Sequence, residues 1–179
     1  LEKTRTLPLE KNRVGRRVVV VGGGNTAVDA AMAASRLGAK DVFIVYRRTR
    51  EEMPAYSGEY EHALLEGIRF EWLAAPSRIL GVKKVEGIEC IRMKLAAPDA
   101  SGRPRPVPVP GSEFVIECDM VITALGQTAL DDVFSRIPGL KLKGGLVVVN
   151  PRTGATSVRR LFAGGDCVTG GAEMVNAVA

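Results

Sequence analysis

Histidine is nearly absent from this chain: His62 is the only one among 179 residues. It lies in an acidic stretch expected to form an exposed helix, with no partner signature nearby. That excludes the usual imidazole-based acid–base and nucleophilic arrangements. Asp29, on a predicted helix, reads as a helix-side hydrogen bonder. Cysteine is scarce as well. Cys90, Cys118 and Cys167 are widely separated and form no CxxC. Neither a disulfide framework nor a zinc knuckle fits, and a reducing cytoplasm does. Aromatic residues make up 5% of the chain, and no basic run is interleaved with them. The net charge of +5 therefore reads as scattered solvated arginines plus one phosphate-binding cluster, with no nucleic-acid partner. No apolar run approaches the roughly 20 residues of a membrane span, and no signal peptide is expected. Residue 1 is Leu, which fits a chain that begins inside a longer protein.

What remains is a globular composition, 46% hydrophobic and 25% charged. Its most informative stretch is Val18-Val-Val-Val-Gly-Gly-Gly-Asn-Thr-Ala27. Four β-branched residues predict a strand, Arg17 to Val21, buried on both faces as in a parallel sheet. Asn25 is placed as N-cap of a helix running to about Leu37, which Gly38 stops. Ala27, Ala30, Ala31, Ala33 and Ala34 keep that helix slim. Val42 to Tyr46 reads as a second strand. A helix from Pro54 to Gly67 follows, with Leu64 and Leu65 as its buried contacts, and Ile68 to Leu73 is a third strand. Strand, helix, strand, helix, strand is half of a doubly wound sheet.

The pattern then changes to antiparallel strands at Ser77 to Gly81, Gly87 to Leu95 and Glu113 to Cys118. Between the last two lies Pro104-Arg-Pro-Val-Pro-Val-Pro110. It reads as a stiff hairpin connection on a sheet edge, with a polyproline recognition motif as the alternative. Met120 to Ala124 is a further buried strand closed by Gly126. Beyond Gln127 come short elements: a strand over Gly145 to Val149, a turn at Asn150 to Gly154, a strand over Arg160 to Ala163, and a helix begun near Gly171.

The glycine motif carries the chemistry. Gly22 permits a tight turn, Gly24 lets the backbone approach a pyrophosphate, and Ala27 keeps helix and strand close. Free N–H groups at the helix start bind the anion, with Asn25 and Thr26 as added side-chain donors. A turn serving packing alone is the competing explanation; the strand before it and the helix after it favour a nucleotide site. Arg47 and Arg48 end the second strand, and Arg47 lies 23 positions after Gly24. A ribose-reading acid is expected about 20 residues on. Arginine there favours a 2′-phosphate, hence NADPH, through planar charged donors. Arg50 is a third candidate. Ion pairing of these arginines with Glu51 and Glu52 is the alternative, and those acids keep NAD open. A second motif, Leu161-Phe-Ala-Gly-Gly-Asp166, suits a second nucleotide at a helix start, with a capped turn as an equal alternative.

Three stretches together resemble one family. They are Val18–Ala31 with Tyr46-Arg-Arg-Thr-Arg-Glu-Glu-Met-Pro54, then Pro98-Asp-Ala-Ser-Gly with Pro106-Val-Pro-Val-Pro-Gly-Ser-Glu-Phe114, then Thr156-Ser with Phe162-Ala-Gly-Gly-Asp166. The chain resembles the small (beta) subunit of NADPH-dependent glutamate synthase and its flavoprotein relatives, which include the flavin half of dihydropyrimidine dehydrogenase. The resemblance implies an α/β fold like that of the disulfide oxidoreductase flavoproteins: a Rossmann-like three-layer domain with a parallel sheet plus an antiparallel meander. It implies a linker over 1–16, a NAD(P)H-binding domain over 17–126 and a return segment over 127–179 into a truncated FAD-binding domain. Electrons would pass from NADPH to FAD, then to iron–sulfur clusters outside this chain, then to a large glutamate synthase subunit or another electron-accepting subunit. By motif match, Gly22, Gly23, Gly24, Asn25, Thr26, Ala27, Arg47 and Arg48 would bind NADPH. Ala124, Gly126 and Gln127 would lie near its nicotinamide end, and Gly165 and Asp166 would belong to the FAD site. No residue is implied as catalytic, and none as a metal ligand. The family's cysteine-rich cluster domain and earlier glycine-rich FAD motif have no counterpart here, so the chain alone is expected to bind NADPH without turning over. The alternatives are a ferredoxin–NADP or pyrimidine reductase subunit of the same architecture, and a non-catalytic nucleotide-sensing domain.

Overall fold

In a computed structural model, residues 13–98, 102–126 and 131–171 are described. Their arrangement starts from β1 (Arg17–Val21), whose valines divide between two cores. Val18 and Val20 turn to one face of the sheet and Val19 and Val21 to the other, all at most 4% exposed. A side-chain period of two, with both faces apolar, suits a strand covered on both sides. β2 (Asp41–Tyr46), β3 (Arg69–Trp72) and β7 (Met120–Thr123) complete a four-stranded parallel sheet in the order β3-β2-β1-β7.

The first face packs on α1 (Asn25–Arg36) and α2 (Ser57–Leu65). Ala27, Ala30, Ala31 and Ala34 form the buried stripe of α1, and small side chains there bring the helix axis near the strands. Ala33, expected with them, is only half-buried. Gly38, at φ 103°, ends the helix as expected, its N–H donating to Ser35 O. The second face is covered by an antiparallel sheet of β4 (Ala74–Leu80), β5 (Gly87–Pro98) and β6 (Pro104–Glu117). Helices, parallel sheet and antiparallel sheet make the three layers.

Several local expectations are corrected. Helix α2 starts at Ser57, not Pro54. The Ala55 and Tyr56 amides are committed elsewhere, to Gly23 O and Asn25 Oδ1. Leu64 and Leu65 are 47% and 85% exposed. The sheet-facing side of this helix belongs to Tyr60 and Ala63, one turn apart. The proline run is no connection. Pro104, Pro106 and Pro108 lie within β6, opposite Pro98, Leu95 and Met93 of β5. Proline at alternate positions leaves the intervening residues to donate to β5, so the missing N–H groups fall on the outer side. Among the described residues β6 has a neighbour only on the β5 side, so that outer side is a sheet edge.

The chain divides into two compact units, Leu1–Leu125 and Gly126–Ala179. The described part of the second holds α3 (Asp131–Phe134), a ribbon of β8 (Leu142–Lys143) and β9 (Leu146–Val147), and α4 (Asp166–Thr169). The turn at Asn150 forms as expected, with Thr153 and Gly154 N–H groups on Asn150 O and the Arg152 N–H on Asn150 Oδ1. The strand expected over Gly145 to Val149 shrinks to two residues. The one expected over Arg160 to Ala163 is replaced by a single Ala155–Phe162 bridge, because Arg160 sits at φ 65° in a turn closed by Leu161 N–H on Val158 O. The helix expected near Gly171 falls outside the described residues.

Candidate functional site

At the end of β1 the backbone makes the turn that only glycine fits. Gly22 has φ 149°, and a Cβ there would stand 2.3 Å from Ala124 O and 3.3 Å from the Ala27 Cβ. Its N–H donates to Val45 O at 3.1 Å, and the Ala124 N–H donates to Val21 O at 2.8 Å. The ends of β1, β2 and β7 are thus drawn together around this residue. Gly23 is set against the Tyr46 ring, 2.5 Å from where its Cβ would lie. Gly24 has nothing within 4 Å of a Cβ. The three glycines therefore differ: two are forced by close packing, and the third opens onto space.

Helix α1 begins directly after. Gly24, not Asn25, is the N-cap and makes no side-chain cap. The Asn25 oxygen is taken instead by the Tyr56 N–H at 2.9 Å, which leaves its NH2 group to donate outward. Ala27 and Val28 N–H groups close on Gly24 O. Among the described residues, no acceptor takes the Gly24, Asn25 or Thr26 N–H groups. These unsatisfied donors at the positive end of a helix dipole form an anion cradle. Thr26 is exposed beside them.

The two arginines at the end of β2 have opposite surroundings. Arg47 is exposed and, among the described residues, has neither hydrogen bond nor ion pair. Arg48 is 6% exposed and donates from Nε to Pro104 O at 2.9 Å, tying the β2 end to the β5–β6 hairpin. Arg50 donates to Ser57 Oγ at 3.1 Å and lies over the Tyr60 ring, 4.3 Å from its centroid. Glu51 and Glu52 converge on Thr49. The Thr49 hydroxyl beside Glu51 holds its carboxyl below the usual range. Sequence reasoning missed this knot and the Ala55 and Tyr56 bonds to the glycine turn. The Thr49-x-x-Glu52 spacing of a capping box was the available signal.

Gly22, Gly23, Gly24, Asn25, Thr26, Ala27, Arg47 and Ala124 thus gather at one end of the parallel sheet. Gly126, exposed, begins the second unit, and Gln127 lies outside the described residues. In that second unit Gly165, at φ 71°, precedes α4, and Asp166 is exposed at its first position. His62 is exposed on α2 as expected, and no group of His, Cys, Asp or Glu among the described residues could hold a metal ion. No helix among the described residues is long and apolar enough to cross a membrane.

A parallel sheet whose first strand delivers a glycine turn to a helix start, backed by an antiparallel meander, defines a Rossmann-type dinucleotide-binding domain. Comparison with known proteins gives the family. The model of the pyridine nucleotide-disulphide oxidoreductases matches residues 1–179, and the chain belongs to that family of oxidoreductases. It is similar to the NADP(+)-dependent formate dehydrogenase subunit beta of Moorella thermoacetica, 48% identical over 167 residues, which is 92% of this chain and 23% of that protein. It is likewise similar to the glutamate synthase [NADPH] small chain of Azospirillum brasilense, 41% identical over 170 residues, 93% of this chain and 35% of that one. Among solved structures, the thioredoxin reductase of T. acidophilum matches with a TM-score of 0.71 and 27% identity, over 90% of this chain and 48% of the other. The chain thus spans about a quarter to a third of the length of these two relatives.

Proposed function

We propose that this chain is the NADPH-binding part of a flavin-dependent oxidoreductase of the glutamate synthase small-chain type, which would pass electrons from NADPH through FAD and iron–sulfur clusters to a partner subunit. The observation that carries the cofactor reading is Arg47: an exposed guanidinium at the end of β2, without a partner among the described residues, on the same sheet end as the open amides of α1.

The residues present fit a dinucleotide. Gly24 leaves the space a pyrophosphate needs, and the Gly24, Asn25 and Thr26 N–H groups offer donors to it. Arg47 supplies charged donors to a 2′-phosphate. Arg48, tied to Pro104, supports the loop, and Arg47 carries the contact. For the flavin, Gly165 and Asp166 are the proposed contacts, the Asp166 carboxylate accepting from a hydroxyl. Bound NADPH supplies a hydride and bound FAD accepts it, a transfer that needs placement and no side-chain base.

A second reading of the partner has specific support. The higher identity to a formate dehydrogenase subunit, 48% against 41%, favours a partner of that kind over the large glutamate synthase subunit. Purification of the natural complex and identification of its largest subunit decides between them.

Titration with NADPH and NADH tests the cofactor. NADPH should bind more tightly, and Arg47→Ala should cost on the order of 1.5–3 kcal/mol for NADPH, about tenfold to a hundredfold in Kd, with NADH little changed. Equal affinities in the parent chain, or an Arg47→Ala variant that keeps its preference, would overturn the assignment.

A further inference from the structure

The β2–α2 loop contains two carboxylates that the nucleotide reading does not use. The Thr49 N–H donates to Glu52 Oε2 at 3.0 Å, and the Thr49 hydroxyl lies 2.6 Å from the same oxygen. That hydroxyl also reaches Glu51 Oε2. The Glu52 carbonyl in turn accepts from the Tyr46 hydroxyl at 2.9 Å, so the turn is pinned to β2. Arg50 is engaged with Ser57 and Tyr60. In an open loop, Glu51 and Glu52 would be the natural partners of Arg47, four and five residues away in sequence. Instead both face Thr49, and Arg47 has no partner among the described residues.

We propose that Thr49 is a positioning residue for dinucleotide selection. By gathering Glu51 and Glu52 onto its hydroxyl and amide it keeps both carboxylates off Arg47, and so sustains the preference for a dinucleotide with a 2′-phosphate over one with a free 2′-hydroxyl. The inference rests on the proposed function, in which Arg47 reads that phosphate. Two effects act together. A released carboxylate would neutralise Arg47 and would also repel the phosphate.

Calorimetric titration of the chain with NADPH and with NADH tests this. Thr49→Val should raise the NADPH Kd by about two- to fivefold, the range of one exposed ion pair, and leave the NADH Kd nearly unchanged. Thr49→Ser, which keeps the hydroxyl, should retain the parent ratio. Adding Glu51→Gln and Glu52→Gln to Thr49→Val should restore it, because no carboxylate remains to pair with Arg47. A role in loop structure alone predicts equal weakening of both dinucleotides and no restoration, and either result overturns the proposal. Glu51→Gln by itself, on an exposed side chain, provides an arm that does not depend on Thr49→Val folding: the ratio should stay as in the parent, and a marked rise in NADPH preference would mean Glu51 already opposes Arg47. If the parent chain shows no NADPH preference, the phosphate reading fails and this inference with it. If the parent prefers NADPH and Thr49→Val changes nothing, the inference alone fails.

Discussion

The two units of this chain are built by different means. In the first, β1 sends alternate valines into two separate cores, and Val18, Val19, Val20, Val28, Ile44 and Cys90 are all fully buried. In the second, Val147 is the only buried hydrophobic residue among those described, while Val133, Val148 and Phe162 are 54%, 41% and 64% exposed. Its order comes from turns: Asn150, Thr156 and Ser157 side chains bond nearby backbone, and its strands are two residues long. Apolar burial is the dominant favourable term in folding, so the first unit carries its own stability and the described part of the second adds little.

The largest test of that difference is truncation of one apolar residue in each unit. Ile44→Ala should destabilise the first unit by about 2–5 kcal/mol. Phe162→Ala should change stability by no more than about 0.5 kcal/mol. Trp72, the single tryptophan, lies in β3 and reports the first unit, while far-ultraviolet circular dichroism reports both, so urea unfolding followed by the two signals separates the outcomes. An equal shift from both variants would break the comparison.

A smaller effect sharpens it within the glycine turn. Gly22→Ala combines a positive φ with a backbone oxygen 2.3 Å from the new Cβ, and should cost roughly 1–3 kcal/mol or more in the same assay. Gly24→Ala meets nothing within 4 Å and should cost at most about 1 kcal/mol of capping, while lowering NADPH affinity. If Gly24→Ala bound NADPH like the parent, the open space would not be where the phosphates go.

The smallest effect concerns the thiols. Cys90 and Cys118 are buried in the first unit and Cys167 is half-buried in the second. A thiol reagent at neutral pH should modify Cys167 first and the other two only on unfolding. Burial pushes the Cys90 thiol from 9.0 up to about 11. A raised folded value means the contribution is whole below the unfolded value and is lost as pH rises from about 9 towards 11. Cys90→Val should flatten that alkaline loss; an unchanged pH profile would remove Cys90 as its source.

The same contrast explains what could be read from sequence. β1, α1, β2 and β7 were legible because each is a strongly apolar or periodic run with a clear boundary, glycine for β1, α1 and β7 and the arginine pair for β2, and burial then enforces the pattern. The glycine turn was legible as well, since its chemistry is local. What escaped depended on distant partners. Nothing in Pro54 to Tyr56 tells that Ala55 and Tyr56 amides go to Gly23 and Asn25, which delays α2. Nothing in Arg47-Arg48 tells which of the two meets Pro104, more than fifty residues on. The proline run misled because proline usually ends strands, and here its even spacing matches the pleat. In the second unit, propensity without burial does not fix a strand, and Arg160 to Ala163 turned instead.

The prolines of β6 have one more consequence. A long outer strand of valine and phenylalanine is a template on which other chains can add, and it would drive intermolecular sheet growth. Pro104, Pro106 and Pro108 strip the hydrogen donors from the first part of that margin while the inner margin stays zipped to β5. That part of the hairpin is thereby made self-limiting: it can complete its own sheet, and along those residues it offers a neighbouring molecule no donors to pair with.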